Sequence, residues 1–511
     1  MAATTVELPL PGGNLFLPVP SAFLGELIGE AGELGFRFPE IYEAITADQD
    51  RAGMAKKQLR CEKKAWLERG TPALPGLEPE VAEPPKATPL HGGRPRMLPE
   101  TVLAFLAISH YFHSVYSAES AERLLDSMSV YSFLLGRGLG MPAMHTVGDN
   151  VNLIGEETRQ LILRCQMQLA FVEGLDEFDE ICGDSTSCAA NTRHPTDSGL
   201  MHRLLDRIYR SGQDLATFGL PAFREFRTGE WLATLRSLDF SINVAKTAKE
   251  RKKLYRKYLK ISEKLIFRFG EEAGRICGLP ETALLDPIRR ARLGRLWDRT
   301  ICDLTDVCHI HVRCEERVLE GKKLKGTHRV LSTADRAASW IAKGDRVPVV
   351  GYKPQLARSP NGLVTAVLVP EGNAADSAML MPLVSGAVAN TGVVPRVGSF
   401  DDGYTSADNL RKLNEFGIPD VSFSGAKGLR LLGEEVYNGE TLKEARRNRS
   451  AVESLMFSLK HCHEFGQLRR RGMEAVRAEL TDKTIVYNFC RIIMLRKGVG
   501  IRKTEEQEEA A

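Results

Sequence analysis

The sequence predicts an α/β domain that follows a helical region and is interrupted by a long basic helical segment. From about residue 327 onward, short apolar runs alternate with helix-like segments, which is the order typical of an α/β domain. Between residues 98 and 169, and again between 200 and 314, apolar residues recur at helical spacing. The 511 residues, of which 43% are hydrophobic and 26% charged, provide enough chain for more than one core.

Composition and charge exclude several classes of protein. The net charge of +3 identifies no partner, so the placement of charge along the chain matters more than its sum. The longest uncharged runs, 101–118 and 377–395, contain polar or helix-breaking residues, and we expect no membrane span. The stretch 1–10 has no basic residue before its apolar part and does not resemble a signal peptide. Ten cysteines without a framework spacing indicate reduced thiols, and hence a cytoplasmic protein.

The first third of the chain is predicted to hold two units joined by a linker. Residues 1–70 form a small N-terminal unit, and the proline-rich stretch 71–97 is a linker. Residues 98–175 form a helical region with glycine-containing turns. This pattern suits a helix-turn-helix DNA reader and a plain helical bundle equally well.

A basic helical segment is predicted over residues 201–325. Within it, 246–260 holds eight Lys or Arg residues against one Glu, with two tyrosines interleaved. Such a run is either a solvated helix face or a surface that neutralises nucleic-acid phosphates. We expect Lys252, Lys253 and Arg256 to contact DNA.

The α/β domain is predicted from two parts of the chain, 176–200 and 326–496, followed by a flexible tail over 497–511. The first part contains a short strand over 178–188. Further strands are predicted at 329–332, 347–353, 363–370, 397–400 and 420–424. Helices are predicted at 376–389, 406–416 and 443–463.

Three acidic residues stand out by their position in this pattern. Asp184 lies in the first strand, Asp401 directly follows the strand 397–400, and Glu453 lies in the last of these helices. Arg449, Glu453 and Lys460 share one helix face because they are spaced by four and seven residues. Carboxylates from strand ends and a covering helix can bind a pair of divalent cations. Ordinary ion pairing on a solvated helix face is the alternative.

Several short motifs, in order along the chain, resemble those of the DDE transposases of bacterial insertion sequences. The spacing of Arg449, Glu453 and Lys460 is similar to the family's third-acid signature, although Arg446 stands where the family has tyrosine. The second-acid motif resembles 400–409 (FDDGYTSADN), and the first-acid motif resembles 184–187 (DSTS) with 191–200 (NTRHPTDSGL). The last of these strings, together with 340–344, 351–353, 372–376 and 486–489, is similar to the ISNCY-like branch.

This resemblance implies a ribonuclease-H-like α/β catalytic domain with a basic helical insertion, preceded by an all-α N-terminal DNA-binding region. It implies that Asp184, Asp401 and Glu453 are catalytic and hold two Mg²⁺ ions, for which Mn²⁺ can substitute. The implied activity is cleavage and strand transfer of double-stranded DNA at terminal inverted repeats, into target DNA, by a homodimer on DNA. It also implies that DNA is contacted by the basic segment and by four further residues: Arg449, Lys460, Lys343 and Lys353. The implied location is the bacterial cytoplasm, in association with the nucleoid.

Alternatives remain open at this stage. The chain is an active transposase, a domesticated or inactive one that binds DNA without cutting it, or a zinc-stabilised DNA-binding or scaffold protein that uses its cysteines and histidines. Asp402 competes with Asp401 as the second acid, and Asp197 is interpreted as a turn residue in preference to a metal ligand. The cluster of cysteines and histidines between Cys302 and Cys314 contains zinc-binding residue types, but its spacing is not that of a standard structural zinc site.

Overall fold

The computed structural model describes residues 5–10, 13–18, 21–68, 96–111, 144–218, 228–276, 287–323, 330–342 and 347–499. Most of the predicted linker 71–97 and of the tail 497–511 lies outside these residues. So do residues 112–143, in which the sequence predicts the glycine-containing turns of the helix-turn-helix hypothesis. The chain divides into two compact units, the first made of 1–52, 92–191 and 337–511 and the second of 53–91 and 192–336.

The first unit begins with an antiparallel hairpin of β1 (Thr5–Leu10) and β2 (Gly13–Pro18). Helices of the N-terminal half follow, with these bounds: α1 (Ser21–Arg37), α2 (Glu40–Glu68, which continues into the second unit), α3 (Pro99–Tyr111), α4 (Met144–Leu153) and α5 (Glu156–Val172). Apolar residues of α1, α3, α4 and α5 form one core with the C-terminal helix α15 (Met473–Arg496). Every residue from Thr101 to His110 of α3 is buried, so α3 is a core helix and not a surface helix.

A mixed five-stranded sheet forms the centre of the α/β part of this unit. Its strands are β3 (Glu180–Ser185), β7 (Gln355–Arg358), β8 (Val364–Leu368), β9 (Val397–Phe400) and β10 (Asp420–Phe423). The order across the sheet is β10-β9-β3-β7-β8. The pairs β10–β9 and β9–β3 are parallel, whereas β3–β7 and β7–β8 are antiparallel. A small sheet of β4 (Cys188–Ala189), β6 (Val349–Tyr352) and β5 (Ser339–Ile341) continues from the end of β3.

Helices cover both faces of the five-stranded sheet. On one face lie α10 (Asp376–Thr391) and α11 (Ala407–Phe416), which pack on Ile181 and Phe400. On the other face lie α14 (Glu440–Cys462) and α15, which pack on Cys182 and Leu356. Two short helices, α12 (Gly425–Leu432) and α13 (Glu434–Tyr437), connect β10 to α14. The predicted helices and the strands at 363–370, 397–400 and 420–424 are therefore confirmed with small shifts of their ends.

One predicted strand was wrong, another was confirmed over a shorter range, and one strand was not predicted. Residues 330–332 are not a strand, because the hydroxyl of Ser332 accepts hydrogen bonds from the backbone N–H groups of Ala334 and Asp335 and forms a turn. The predicted strand 347–353 ends at Tyr352, and β7 begins only three residues later as a separate strand. β7 was not predicted from the sequence, because the strands that pair with it, β3 and β8, are brought beside it only by the tertiary structure.

The described residues of the second unit contain helices and no strand. Its helices are α6 (Asp197–Ala216), α7 (Thr228–Val244), α8 (Ala248–Ile276) and α9 (Pro287–Cys314), which continues into a π-helical turn (Glu315–Leu319). Tyr255 and Tyr258 of α8 are buried in the core of this unit, so they pack there and are not available to stack on a nucleobase. Within the described part of the chain, no helix is both long and apolar enough to span a membrane.

Candidate active site

Two of the three predicted acids lie at the ends of neighbouring parallel strands. Gly183 of β3 is paired with Phe400 of β9, and the next residue on each strand is Asp184 and Asp401 respectively. Side chains alternate between the faces of a sheet. Since Cys182 faces α14 and Phe400 faces α10, both acids are placed on the face that α14 covers.

Close packing fixes this pair of strand ends. A Cβ atom on Gly183 would lie 2.9 Å from the ring of Phe400, so only glycine allows the ring to lie across the strand here. The hydroxyl of Ser424, which follows β10, donates a 2.9 Å hydrogen bond to Oδ1 of Asp401. Asp184 is buried, and its Oδ1 accepts a 2.6 Å hydrogen bond from the N–H of Ser185.

Asp402 has a different environment from Asp401. Its Oδ1 accepts a 3.2 Å hydrogen bond from the N–H of Lys427, in the first turn of α12, and its Oδ2 lies 3.3 Å from the Lys427 ammonium. Gly425, with a φ of +83°, lets the chain pass close to this carboxylate. A carboxylate at this position stabilises the start of the helix, where the N–H groups have no partner within the helix.

The third acid, Glu453, lies on α14, which packs against β3, β9 and β10. Asn448 of α14 donates a 3.0 Å hydrogen bond to Glu180 at the start of β3. Arg449 lies between two of the acids: its Nη1 is 3.9 Å from Oδ1 of Asp401, and its Nη2 is 3.9 Å from Oε1 of Glu453. The Glu453 side chain is 71% exposed, whereas that of Arg449 is 17% exposed.

Arg446, which replaces the tyrosine of the family signature, anchors α14 to its surroundings. Its guanidinium lies 3.8 Å from the centre of the Tyr437 ring, a cation–π contact. It also donates to the Ser422 hydroxyl at 3.1 Å and to the Tyr437 carbonyl at 2.5 Å. The position therefore remains linked to an aromatic ring, although the ring comes from a neighbouring helix.

The predicted DNA-contacting residues of the first unit are in unequal environments. Lys460 is half-buried and its side chain extends along Gly466. Lys353 is buried, and its Nζ lies 2.8 Å from Oδ1 of Asp376, so the structure gives it a partner within the fold. Lys343 lies outside the described residues.

The three predicted contacts of the second unit also differ. Lys253 and Arg256 of α8 are exposed. Lys252 is half-buried and its Nζ donates a 2.7 Å hydrogen bond to the carbonyl of Leu319. Asp197 begins α6 and forms an ion pair with Arg317.

The cysteine and histidine cluster is spread along α9. Cys302 is exposed, Cys314 is buried, and the ring Nε2 of His311 lies 3.2 Å from the carbonyl of Leu259. Among the residues that the structure describes, no three His, Cys, Asp or Glu side chains are grouped closely enough to hold a metal ion. This applies to the α9 cluster and to the three predicted acids as they stand.

Three polar residues near the two aspartates, Gln355, Asp376 and Tyr404, form a hydrogen-bonded group that the sequence did not predict. The Tyr404 hydroxyl donates a hydrogen bond to Oε1 of Gln355, whose Nε2 donates to Oδ1 of Asp376 at 2.9 Å. The pKa of Tyr404 is raised, first by burial and then by the nearby carboxylates of Asp376, Asp184 and Asp401. The residues next to Gln355 in the sequence give no sign of this role, because its hydrogen-bond partners Asp376 and Tyr404 come from other parts of the chain.

Comparison with known proteins identifies one family. The model of the transposase DDE domain matches residues 316–489, which include Asp401 and Glu453 and begin after Asp184. Comparisons with curated proteins and with solved structures found no match. The family implies a ribonuclease-H-like fold, with which the mixed sheet and its covering helices agree, and DNA as the substrate. Such domains generally use divalent metal ions. The match confirms the resemblance of this chain to the DDE transposases, without distinguishing the ISNCY-like branch.

Proposed function

We propose that this protein is a transposase that cleaves and joins DNA strands at the ends of an insertion sequence, using Asp184, Asp401 and Glu453. The observation that supports the proposal is the register of β3 and β9, in which Gly183 pairs with Phe400 and each is followed by one of the aspartates, together with the match of residues 316–489 to the transposase DDE domain. Glu453 lies on the helix that covers the same face of the sheet.

The donor set fits a divalent cation. Carboxylate oxygens are the ligands that Mg²⁺ prefers, and the three acids would hold two such ions, with Mn²⁺ as a substitute. When bound, a pair of these ions activates the attacking oxygen and stabilises the leaving oxygen of a phosphodiester. The three acids are not grouped closely enough to hold an ion as they stand, so the proposal requires the exposed Glu453 side chain to leave Arg449 and turn toward the strand ends when a cation binds.

The chain's basic residues would hold the DNA. Arg449 and Lys460 lie on the Glu453 face of α14 and would contact the backbone of the terminal repeat. Lys253 and Arg256 on the exposed face of α8 would add phosphate contacts from the second unit. Each phosphate contact releases counterions, so we expect affinity for DNA to fall steeply with salt. We further propose that a homodimer bridges two inverted repeats.

Strand cleavage on a supercoiled plasmid tests this function. The plasmid carries the gene with its native flanks, and the new 3′-hydroxyl ends made in Mg²⁺ are sequenced. Wild-type protein is compared with Glu453→Gln and with the matched control Glu444→Gln, an exposed glutamate on the opposite face of α14. We expect breaks at two inverted repeats bracketing the gene with wild type and Glu444→Gln, and none with Glu453→Gln.

The same assay distinguishes the alternative. Salt-sensitive DNA binding by wild type without any metal-dependent break would identify a domesticated or inactive transposase that acts as a DNA-binding protein. Equal cleavage by wild type and Glu453→Gln would show that this carboxylate takes no part in catalysis.

A further inference from the structure

A buried chain of hydrogen bonds lies directly behind the two strand-end aspartates. Its members come from β7, the loop before it, the first turn of α10 and the turn after β9, and we call it the Asp376 network: Lys353, Gln355, Asp376 and Tyr404. Gln355 and Tyr404 are completely buried, and Lys353 is 9% exposed. Polar groups removed from water to this extent must be paired to be tolerated.

Only one assignment of donors and acceptors is possible along this network. Carboxylate oxygens only accept hydrogen bonds, so Asp376 must receive from Gln355 Nε2 and from the Lys353 ammonium, at 2.9 and 2.8 Å. The other end of the Gln355 amide is then an acceptor, and the Tyr404 hydroxyl donates to it. Each hydrogen bond in the network polarises the next, so the loss of one weakens the others.

The network connects the segments that carry the two aspartates. Ser185, the residue after Asp184, is paired with Gln355 across β3 and β7. Tyr404 ends the 3₁₀ turn after β9, and its N–H donates a 3.0 Å hydrogen bond to the carbonyl of Asp401. The position of a Cβ on Gly403, within that turn, is 3.0 Å from Oδ2 of Asp376, so the turn is packed directly on this carboxylate.

A second tie closes the same turn from the other side. Nδ2 of Asn409, in α11, donates 2.8 Å hydrogen bonds both to the carbonyl of Tyr404 and to that of Ser377. The turn after Asp401 is thus held to the start of α10 through its side chain and through its backbone. The network lies on the α10 side of the sheet, whereas the two aspartates are placed on the α14 side.

We propose that the Asp376 network is a positioning device that sets the separation of Asp184 and Asp401 for a divalent cation. This inference rests on the proposed function. The network does not touch the cation; it holds Gln355 against the end of β3 and Tyr404 against the end of β9. Lys353 is accordingly a member of the positioning device, in place of the DNA contact that its motif suggested.

Binding of Mn²⁺ to the full chain, measured by titration calorimetry and by the loss of the free-ion paramagnetic resonance signal, tests the proposal without any DNA. Tyr404→Phe removes one hydroxyl and leaves the ring in place. We expect its affinity for Mn²⁺ to fall by on the order of tenfold, as for other groups that orient metal ligands from behind. Gln355→Glu is the second variant, because glutamate cannot donate to Asp376 and adds a like charge; the same direction is expected.

Tyr258→Phe is the matched control. Tyr258 is also fully buried and donates one hydrogen bond, 2.8 Å to the carbonyl of Ser198, but it lies in the second unit. Both Tyr→Phe variants should lower the unfolding midpoint by similar amounts, and only Tyr404→Phe should weaken Mn²⁺ binding. Unchanged Mn²⁺ affinity in Tyr404→Phe overturns the positioning role.

Asp401→Asn separates this result from failure of the proposed function. If wild type binds Mn²⁺ and Asp401→Asn does not, the bound ion is at the strand ends and the Tyr404→Phe comparison decides the inference alone. If wild type and Asp401→Asn bind Mn²⁺ equally, the ion is elsewhere, and the proposed metal site and the inference built on it both fall.

Discussion

The guanidinium of Arg449 lies 3.9 Å from the carboxylate of Asp401 and equally far from that of Glu453 one helical turn away. A cation between two proposed metal ligands repels a divalent ion, so Arg449→Gln should bind Mn²⁺ about fivefold more tightly in the absence of DNA, corresponding to about 1 kcal/mol for partly exposed charges. Its affinity for DNA should fall. Calorimetric titration measures the first effect, and Arg447→Gln, an exposed arginine on the same helix, is the control. Weaker Mn²⁺ binding by Arg449→Gln would instead mean that Arg449 orients the carboxylates.

Asp401→Asn and Asp402→Asn should have opposite consequences. Removing a ligand charge that is worth several kcal/mol at the reacting centre should slow Mg²⁺-dependent nicking about a hundredfold or more. Asp402→Asn keeps an acceptor for the Lys427 N–H, so it should nick DNA at close to the wild-type rate and lose less than about 1 kcal/mol of stability. Initial rates on supercoiled DNA and thermal melts measure both. If Asp402→Asn alone lost nicking, Asp402 would be the metal ligand and Asp401 would not.

The basic helix α8 should contribute to DNA affinity through its exposed residues only. Lys253→Gln and Arg256→Gln should each reduce the slope of log affinity against log salt by about one. Lys252→Gln should leave the slope unchanged, since its ammonium is already bonded to the Leu319 carbonyl. Fluorescence anisotropy with a terminal-repeat duplex at several salt concentrations measures the slopes. Equal slopes for all three variants and wild type would mean that this face of α8 does not contact DNA.

Asp482 should be essential for stability. It is completely buried on α15, where its Oδ1 accepts a 2.6 Å hydrogen bond from Arg159, and charged partners hold its pKa below the usual range despite the opposing effect of burial. Asp482→Asn should cost about 3–5 kcal/mol, because it leaves a buried guanidinium uncompensated. Since the carboxyl has a lower pKa when folded, its contribution is present above the unfolded pKa and is lost as the pH falls. Urea unfolding at pH 7 and at a series of pH values between 4 and 2, the range in which the contribution is lost, measures this.

The control for that experiment is Glu415→Gln, which removes an exposed ion pair with Arg411 on α11. Solvent screens an exposed ion pair, so its removal should change the stability very little. If the two variants lost similar amounts of unfolding free energy, the buried Asp482 ion pair would contribute no more to stability than an exposed one.

Glu30 should make the protein less stable at alkaline pH. Burial raises its pKa to about 7, even though Arg496 lies beside it. A carboxyl whose pKa is higher in the folded state favours folding less and less as the pH rises from its unfolded pKa to its folded one. Glu30→Gln should therefore stabilise the protein at pH 8 by roughly 1–3 kcal/mol and have little effect at pH 4. Arg496 keeps Glu173 as a partner in the variant. Equal unfolding midpoints at pH 8 would contradict the prediction.

The local spacing of apolar residues was sufficient to predict many of the strands and helices of the α/β part. The strand Val397–Phe400 and the helix Asp376–Thr391 follow from apolar spacing and from the glycines and prolines around them, all within a dozen residues. The motif around Asp401 could be recognised in the same way. In contrast, the strand Gln355–Arg358 was missed, because its pairing with a strand about 170 residues earlier leaves no trace in its own spacing.

The sequence by itself determined which acids and bases are candidates, because residue type and spacing along one helix or strand are local properties. Only the tertiary structure decided which of them have partners. From the sequence, Lys353 and Lys252 were both expected to contact DNA. In the structure, Lys353 pairs with Asp376, and Lys252 donates a hydrogen bond to the Leu319 carbonyl. The sequence does not distinguish Asp402 from Asp401 as the second acid, whereas in the structure Asp402 accepts a hydrogen bond from the first turn of α12. The residue type does not show whether a charged side chain is exposed to water or paired within the fold. Its partners come from segments far apart in the chain, so only the tertiary structure decides between the two.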